Sequence, residues 1–268
     1  VHAAPAVAQP EVKSKIDPRS RERSCEDSAL RCPITMTDAD LAAVPRLGVT
    51  LTYATKALTA AREKLGGREP KTFEVLQQFV LPLTAERRCS LVELLWAQFD
   101  ARIKAADAAK KKLEKKANPV GEASVFVSHS WGSPFASLVG ALEDYLKSHQ
   151  QPAYAVYFWV DCFSINQHAA AVSTLDSAHW SRLFGEAIRS MGAVCLVATP
   201  WESPTALGRC WCLFELMSAL SGGDGGDGGD GGDDGGASPP PLRMLTNTPG
   251  GGAAHGVELT LGMPARER

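Results

Sequence analysis

One acid stands alone in an apolar run near the end of the ordered-looking sequence. The stretch Arg209-Cys-Trp-Cys-Leu-Phe-Glu-Leu-Met-Ser-Ala-Leu220 reads as a short helix that is apolar on nearly every face, and Glu215 is its only carboxylate. Burying an ionised carboxyl is costly unless it is paired, protonated or opened onto a cleft. Two readings follow. Either Glu215 sits at a helix rim and reaches water, or it lines a pocket where its charge serves chemistry. Ser128, His129 and Asp161 are a second set, containing the parts of a hydrolase triad. Adjacent Ser and His cannot readily face each other, and no nucleophile elbow surrounds Ser128, so a triad is not expected. His129 follows an apolar run, where it is either a hydrogen-bonded loop residue or a ligand contact. Asp161 either caps the turn it begins or meets a ligand. Cys210 and Cys212 with His168 offer metal-binding atom types, but the seven cysteines show no regular spacing and no metal is expected.

These residues need elements to hold them. Val125-Phe-Val127 is a short apolar run, read as a buried strand that ends at the loop Ser128-His-Ser-Trp-Gly132. Ser133 and Pro134 suit the start of a helix whose stripe is Phe135, Leu138, Val139, Leu142 and Leu146. Tyr154 to Val160 is apolar on both faces, as a central parallel strand is, and Asp161 follows at its carboxyl end. Trp180, Leu183, Phe184, Ala187, Ile188 and Met191 mark another helix, closed by Gly192. Ala193 to Ala198 is the third buried strand, and a Pro- and Gly-containing loop leads into the Arg209 helix. Alternating strands and helices imply an α/β fold with a parallel sheet, right-handed crossovers and helices on its faces. Ligands of such sheets bind beyond the carboxyl ends of the strands, which is where Ser128 to Gly132, Asp161 to His168 and Thr199 to Gly208 fall.

Upstream, residues 1–36 are rich in Ala, Pro and charge without periodicity and read as a disordered tail. Cys25 and Cys32 within it have no second Cys/His pair at ligand spacing. Residues 37–118 read as a small helical region beside the α/β domain of 122–220. Thr37 caps its first helix, with the stripe Leu41, Val44, Leu51 and Leu58, a break at Pro45 and a stop at Gly66-Gly67. A second helix fits Phe73 to Val80, ended by Pro82. Ser90 with Glu93 makes a capping box for a third, whose stripe is Leu91, Leu95, Phe99 and Ile103. Its lysine-rich end, to Lys116, reads as a solvated helix terminus. Downstream, 221–252 is a Gly-, Asp- and Pro-rich linker, and 253–268 holds one possible last strand, His255 to Leu261. The Gly-Gly-Asp repeats lack the apolar position that calcium-binding nonapeptides need.

Of 268 residues, 44 % are hydrophobic and 22 % charged, with net charge −2. That balance excludes a strongly basic nucleic-acid binder and gives no case for a membrane partner. No apolar run is long enough to span a bilayer. Cysteines in apolar runs suit reduced thiols, hence a cytoplasmic location.

Three stretches resemble the Toll/interleukin-1 receptor (TIR) domain family. Val125-Phe-Val-Ser-His-Ser130 is similar to its first strand and following loop. Phe158-Trp-Val-Asp161 is similar to its second strand, whose terminal Asp opens the BB loop. Trp211-Cys-Leu-Phe-Glu-Leu216, the most specific of the three, is similar to the Trp-Cys-Leu-x-Glu-Leu helix of plant-type members. The resemblance spans about Ala123 to Leu220, and its wording is nearer a divergent algal or protist branch. It implies a flavodoxin-like TIR-type sheet and a signalling role. In catalytic members, the motif Glu cleaves NAD, which makes Glu215 the implied catalytic carboxylate and NAD a substrate rather than a cofactor. Trp131 or Phe163 would stack on nicotinamide or adenine, with Trp211, otherwise a core aromatic, beside them. Ser128, His129 and Asp161 would hold ribose or phosphate. Departures are the His129-Ser-Trp-Gly132 loop, Asn166-Gln-His168 in place of a Gly-containing BB loop, and no fifth strand or last helix in the family's pattern.

Two functions are therefore carried forward. One is an NAD glycohydrolase releasing nicotinamide. The other is a non-catalytic TIR-like module that self-associates and passes a signal through attached domains.

Overall fold

The computed structural model describes residues 46–109, 118–168, 177–220, 242–245 and 258–261. Its frame is one mixed sheet of seven strands. In chain order these are β1 (Leu47–Val49), β2 (Val120–Glu122), β3 (Val125–Ser128), β4 (Phe158–Trp159), β5 (Ala193–Val197), β6 (Leu242–Leu245) and β7 (Glu258–Leu261). Across the sheet they run β2-β1-β4-β3-β5-β6-β7. The four inner strands β4, β3, β5 and β6 are parallel, with Phe126 opposite both Trp159 and Val194. Antiparallel strands flank them, β1 and β2 on one side and β7 on the other.

Side chains alternate across the pleat, and the sequence supplies apolar residues for both faces. Val125, Val127, Phe158, Val160 and Cys195 point to one face. There they meet Ala54, Ala57 and Leu58 of helix α1 (Leu51–Lys64). Phe79 and Val80 of the helical turns over Thr72–Thr84 pack there too, with Leu91 and Leu95 of the helix that follows. All five predicted stripe residues of Phe135–Ser148 are buried on this same face. On the other face Phe126, Trp159, Val194 and Leu242 pack against Phe184, Ala187, Ile188 and Met191, and against Ala219. Phe126 stacks on Trp159 with centroids 4.8 Å apart.

Several expectations need correcting. The first predicted helix does not run through residues 47–49, because that segment is strand β1, and Thr50 caps α1 instead. Gly48 lets β1 approach β4: a Cβ there would lie 2.5 Å from the Phe158 carbonyl oxygen. The helical region is therefore not a separate domain beside the sheet. It contributes a strand to it, and both belong to one unit, Met36–Arg268. Gly66 and Gly67 do end α1, at φ values of 67° and 90° that a Cβ disfavours. Pro82 does not stop the second helix. Helix α2 (Thr72–Val75) widens into a π-helical stretch (Leu76–Val80) and continues as α3 (Leu81–Thr84). Pro82 directly follows the π-helical stretch, and the carbonyl of Gln78, four residues before it, accepts from Lys64 Nζ at 2.6 Å instead of from a helix amide. The Ser90/Glu93 capping box forms at the start of α4 (Leu91–Ala108). Its stripe is buried only at Leu91 and Leu95, while Ile103 is exposed.

Helix α5 (Phe135–Ser148) begins after Pro134 with no side-chain cap; Ser133 instead bonds Thr205. The strand expected over Tyr154–Val160 is only Phe158–Trp159, since Tyr154 lies in an exposed turn. Helices α6 (Asp161–Ser164), α7 (Ser177–Ser190) and α8 (Cys210–Leu220) complete the framework. The predicted linker over 221–252 contains a strand, β6, which supplies the fourth parallel position. The expected last strand does form, as β7 within His255 to Leu261, and it is antiparallel at the edge. Leu242 and Leu245 are buried, so a short apolar pair amid Pro and Gly was enough to complete the sheet. The tail 1–36, the Thr37 cap, Cys25, Cys32, the lysine run beyond 109, the Gly-Gly-Asp repeats and the Trp180 side chain lie outside the described residues. Among described residues no helix is long and apolar enough to cross a membrane.

Candidate functional site

The carboxyl ends of β3 and β4 open onto a cavity of about 270 Å³. It lies where chain connections leave neighbouring strands in opposite directions, the usual ligand position in such sheets. His129 and Trp131 reach it from the loop after β3. Asp161, Ile165 and Gln167 come from the segment after β4. Phe184 comes from α7, and Arg209, Trp211, Cys212 and Glu215 from the start of α8 and the residue before it.

Glu215 is only 6 % exposed and forms no ion pair among the described residues. Burial pushes its pKa up to about 8. The Ser128 hydroxyl opposes this, the charge of Asp161 adds to it, and Arg209 opposes it weakly. Ser128 Oγ makes no hydrogen bond of normal geometry, yet it lies near enough to Glu215 and Cys212 to favour their anions. Near neutral pH the carboxyl is mostly protonated until a cation arrives beside it.

Asp161 organises the opposite wall. The Trp131 indole N–H donates to its Oδ2 at 2.7 Å, and the Cys162 amide to its Oδ1 at 2.6 Å. Asp161 is not the cap of the turn it begins, since Val160 holds that position without a side-chain cap; its carboxylate instead takes the neighbouring amide and fixes the Trp131 ring at the cavity. Gln167 Nε2 donates to the Asp161 carbonyl at 2.9 Å. His129 is buried, and burial holds its pKa below the usual imidazole value against the raising effect of Asp161. Its Nε2 is 3.9 Å from Asp161 Oδ1, too far for a hydrogen bond. Among the described residues no Ser-His-Asp relay forms, because neither Ser128 Oγ nor His129 Nε2 has a hydrogen-bond partner.

The N-terminal helices hold the two site loops. The Phe73 and Thr72 amides donate to the carbonyls of Trp131 and Ser133, each at 3.2 Å. Ser164 Oγ donates to the Leu47 carbonyl at 3.0 Å, and Asn166 Nδ2 to the Arg88 carbonyl at 2.6 Å. His168 shares a 2.9 Å hydrogen bond with Thr84 Oγ1.

Of the predicted site residues, His129, Trp131, Asp161, Trp211 and Glu215 line the cavity. Ser128 lies behind it. Phe163 is a correction: it is fully buried and packs edge-on against Phe135 in the core, so it cannot stack on a ligand. The helical turn that starts at Asp161 carries that ring inward. Trp211 is half-buried and packs 5.7 Å from Phe184, serving the wall and the core together. Ile165, Gln167, Phe184, Arg209 and Cys212 also line the cavity. Gln167 and Arg209 sit in or beside strand-end loops already singled out, so position was their signal. Phe184 and Cys212 had core-like patterns and gave none. Cys210, Cys212 and His168 do not converge: Cys210 is exposed, while Cys212 donates to the His129 carbonyl at 3.3 Å. Burial lifts the Cys212 thiol to about 11, so it stays protonated.

No protein-family model, curated protein or solved structure matches this chain.

Proposed function

We propose that this protein is a TIR-like NAD glycohydrolase of the cytoplasm, with Glu215 as the catalytic carboxylate. The observation that carries the reading is Glu215 itself: a buried carboxyl, without an ion pair among described residues, on the wall of an aromatic-lined cavity at the strand ends. Two further features support it. Taken in order of occurrence, the parallel strands lie 2-1-3-4, the flavodoxin-like arrangement. The Trp211-Cys-Leu-Phe-Glu-Leu216 helix, whose residues resemble that family's catalytic motif, brings Glu215 to the cavity wall.

The chemistry suits these residues. The bond between nicotinamide nitrogen and ribose C1′ breaks with its electron pair passing to the cationic ring, which leaves neutral. No general acid is needed. Glu215, ionised by the approaching positive charge, stabilises the oxocarbenium-like ribose, and water then adds and loses a proton to solvent. A buried, apolar wall makes that charge stabilisation stronger than in water. At about 270 Å³ the cavity is near the small end of ligand pockets, so it encloses the nicotinamide riboside end. Trp131 and Trp211 would flank the ring, and Arg209 supplies a cation for the diphosphate. Nicotinamide release by the full-length protein, in wild type and Glu215→Ala, tests the proposal. Release by wild type alone supports it; equal release from both refutes it.

A second reading is a non-catalytic module that self-associates. Leu213 and Met217 are exposed one turn apart on α8, with Trp201 and Leu207 exposed in the loop before it. Such a patch beside the cavity mouth suits a second copy of the chain. Concentration-dependent assembly abolished by Leu213→Asp, in a protein that neither binds nor cleaves NAD, would favour this reading.

A further inference from the structure

A ring nitrogen of His129, a carboxylate oxygen of Asp161 and Cys162 Sγ all lie within 4.8 Å of one another. The three residues come from the carboxyl ends of adjacent parallel strands, His129 after β3 and Asp161 and Cys162 after β4. We propose that this trio is a binding site for one zinc-type divalent cation. The site shares His129 and Asp161 with the cavity wall, but the argument for it does not depend on the dinucleotide reading.

The donor set is the first argument. One imidazole nitrogen, one carboxylate oxygen and one sulfur are ligands that borderline-soft cations such as Zn²⁺ accept together, and that Mg²⁺ and Ca²⁺ do not favour. Metal–ligand bonds of about 2.0–2.3 Å place neighbouring ligand atoms roughly 3.3–3.8 Å apart in a tetrahedron. His129 Nε2 and Asp161 Oδ1 are already 3.9 Å apart, and the widest separation in the trio closes with a shift of about 1 Å.

The second argument is the orphaned nitrogen. The His129 side chain is 3 % exposed, and its Nε2 has no hydrogen-bond partner among the described residues. A buried nitrogen in that condition is uncommon in a folded protein. The Val127 carbonyl hydrogen-bonds the imidazole. Since Nε2 is unbonded, that carbonyl takes Nδ1–H, which leaves the Nε2 lone pair directed toward a carboxylate. Two electron-rich groups facing each other in a poorly solvated place repel; a cation between them turns the repulsion into ligation. A backbone carbonyl on the far nitrogen is also how metal-binding histidines are commonly oriented.

The third argument is the support around the carboxylate. The Trp131 indole and the Cys162 amide each donate to one Asp161 oxygen, fixing its plane while leaving further lone pairs to bind. Cys162 is fully buried at the rear, whereas His129 and Asp161 line the cavity. The cation would enter through the cavity, gain the sulfur as Cys162 gives its proton to solvent, and keep its fourth position toward the open side. One carboxylate and one thiolate then balance the two positive charges, which a buried site requires.

Cobalt(II) is the probe. Titrated into the full chain, it is expected to saturate at one equivalent, with a thiolate-to-metal charge-transfer band and four-coordinate visible bands. Cys162→Ser should remove the charge-transfer band, His129→Gln should weaken binding on the order of tenfold or more, and Cys210→Ser should leave both unchanged. Zinc-edge X-ray absorption on wild type needs no variant and should find one sulfur with the remaining ligands nitrogen or oxygen. Uptake below one equivalent, a zinc shell with no sulfur or several, or an unaltered cobalt spectrum in folded Cys162→Ser would each overturn the proposal.

Discussion

Glu215→Gln should change how stability depends on pH, by an amount the burial of this one group fixes. The carboxyl titrates at about 8 in the folded protein against 4.5 for the free group. A raised folded pKa means the native state binds the proton more tightly than the unfolded chain. Its stabilising contribution is therefore complete below the unfolded value and is lost as pH climbs through the folded one. The difference of roughly 3.5 pKa units corresponds to about 5 kcal/mol, of which about 4 kcal/mol disappears between about pH 5 and pH 9. That is a large part of the stability of an ordinary domain. Glutamine keeps the shape of the side chain and cannot ionise, so it removes this dependence. Urea unfolding followed by circular dichroism near pH 5, 7 and 9 provides the measurement. Wild type should lose several kcal/mol more than the variant across that range, with the divergence greatest above neutrality. Parallel curves for the two proteins would mean that Glu215 ionises as easily folded as unfolded, and the buried-carboxyl argument would fall with them.

Two other outcomes follow from the same geometry. If Glu215 acts as a carboxylate on a cationic substrate, kcat/KM for nicotinamide release should rise with pH toward a limb near 8. The limb for kcat should lie lower, because the bound positive charge favours ionisation. A pH-independent kcat/KM in an active enzyme would remove Glu215 from the chemistry. Gly48→Ala should destabilise the fold by about 1–3 kcal/mol, since its Cβ would press on the Phe158 carbonyl and push β1 from β4. Thermal unfolding reads this directly, and an unchanged midpoint would show that β1 shifts freely.

The sequence by itself determined the inner framework. Runs such as Val125-Phe-Val127 and Ala193 to Val197 are apolar at every position, which only a sheet covered on both faces can bury. The stripe from Phe135 to Leu146 and the Ser90/Glu93 box could be read from spacing, because helix periodicity and capping are local. Glu215 stood out for the same reason: one charge amid apolar neighbours is visible without coordinates. Tertiary structure alone decided the rest. Leu47–Val49 and Leu242–Leu245 are too short to announce themselves as strands, and they became strands because exposed sheet edges offered them hydrogen-bond partners. Phe163 turned to the core while Trp131 turned to the cavity, a choice made by the α6 turn and by the Asp161 carboxylate. Cys162, one residue from a recognised candidate, met His129 only because two parallel strands place their ends side by side. Local pattern is written along the chain; convergence of distant side chains depends on register between strands, and no single segment encodes that.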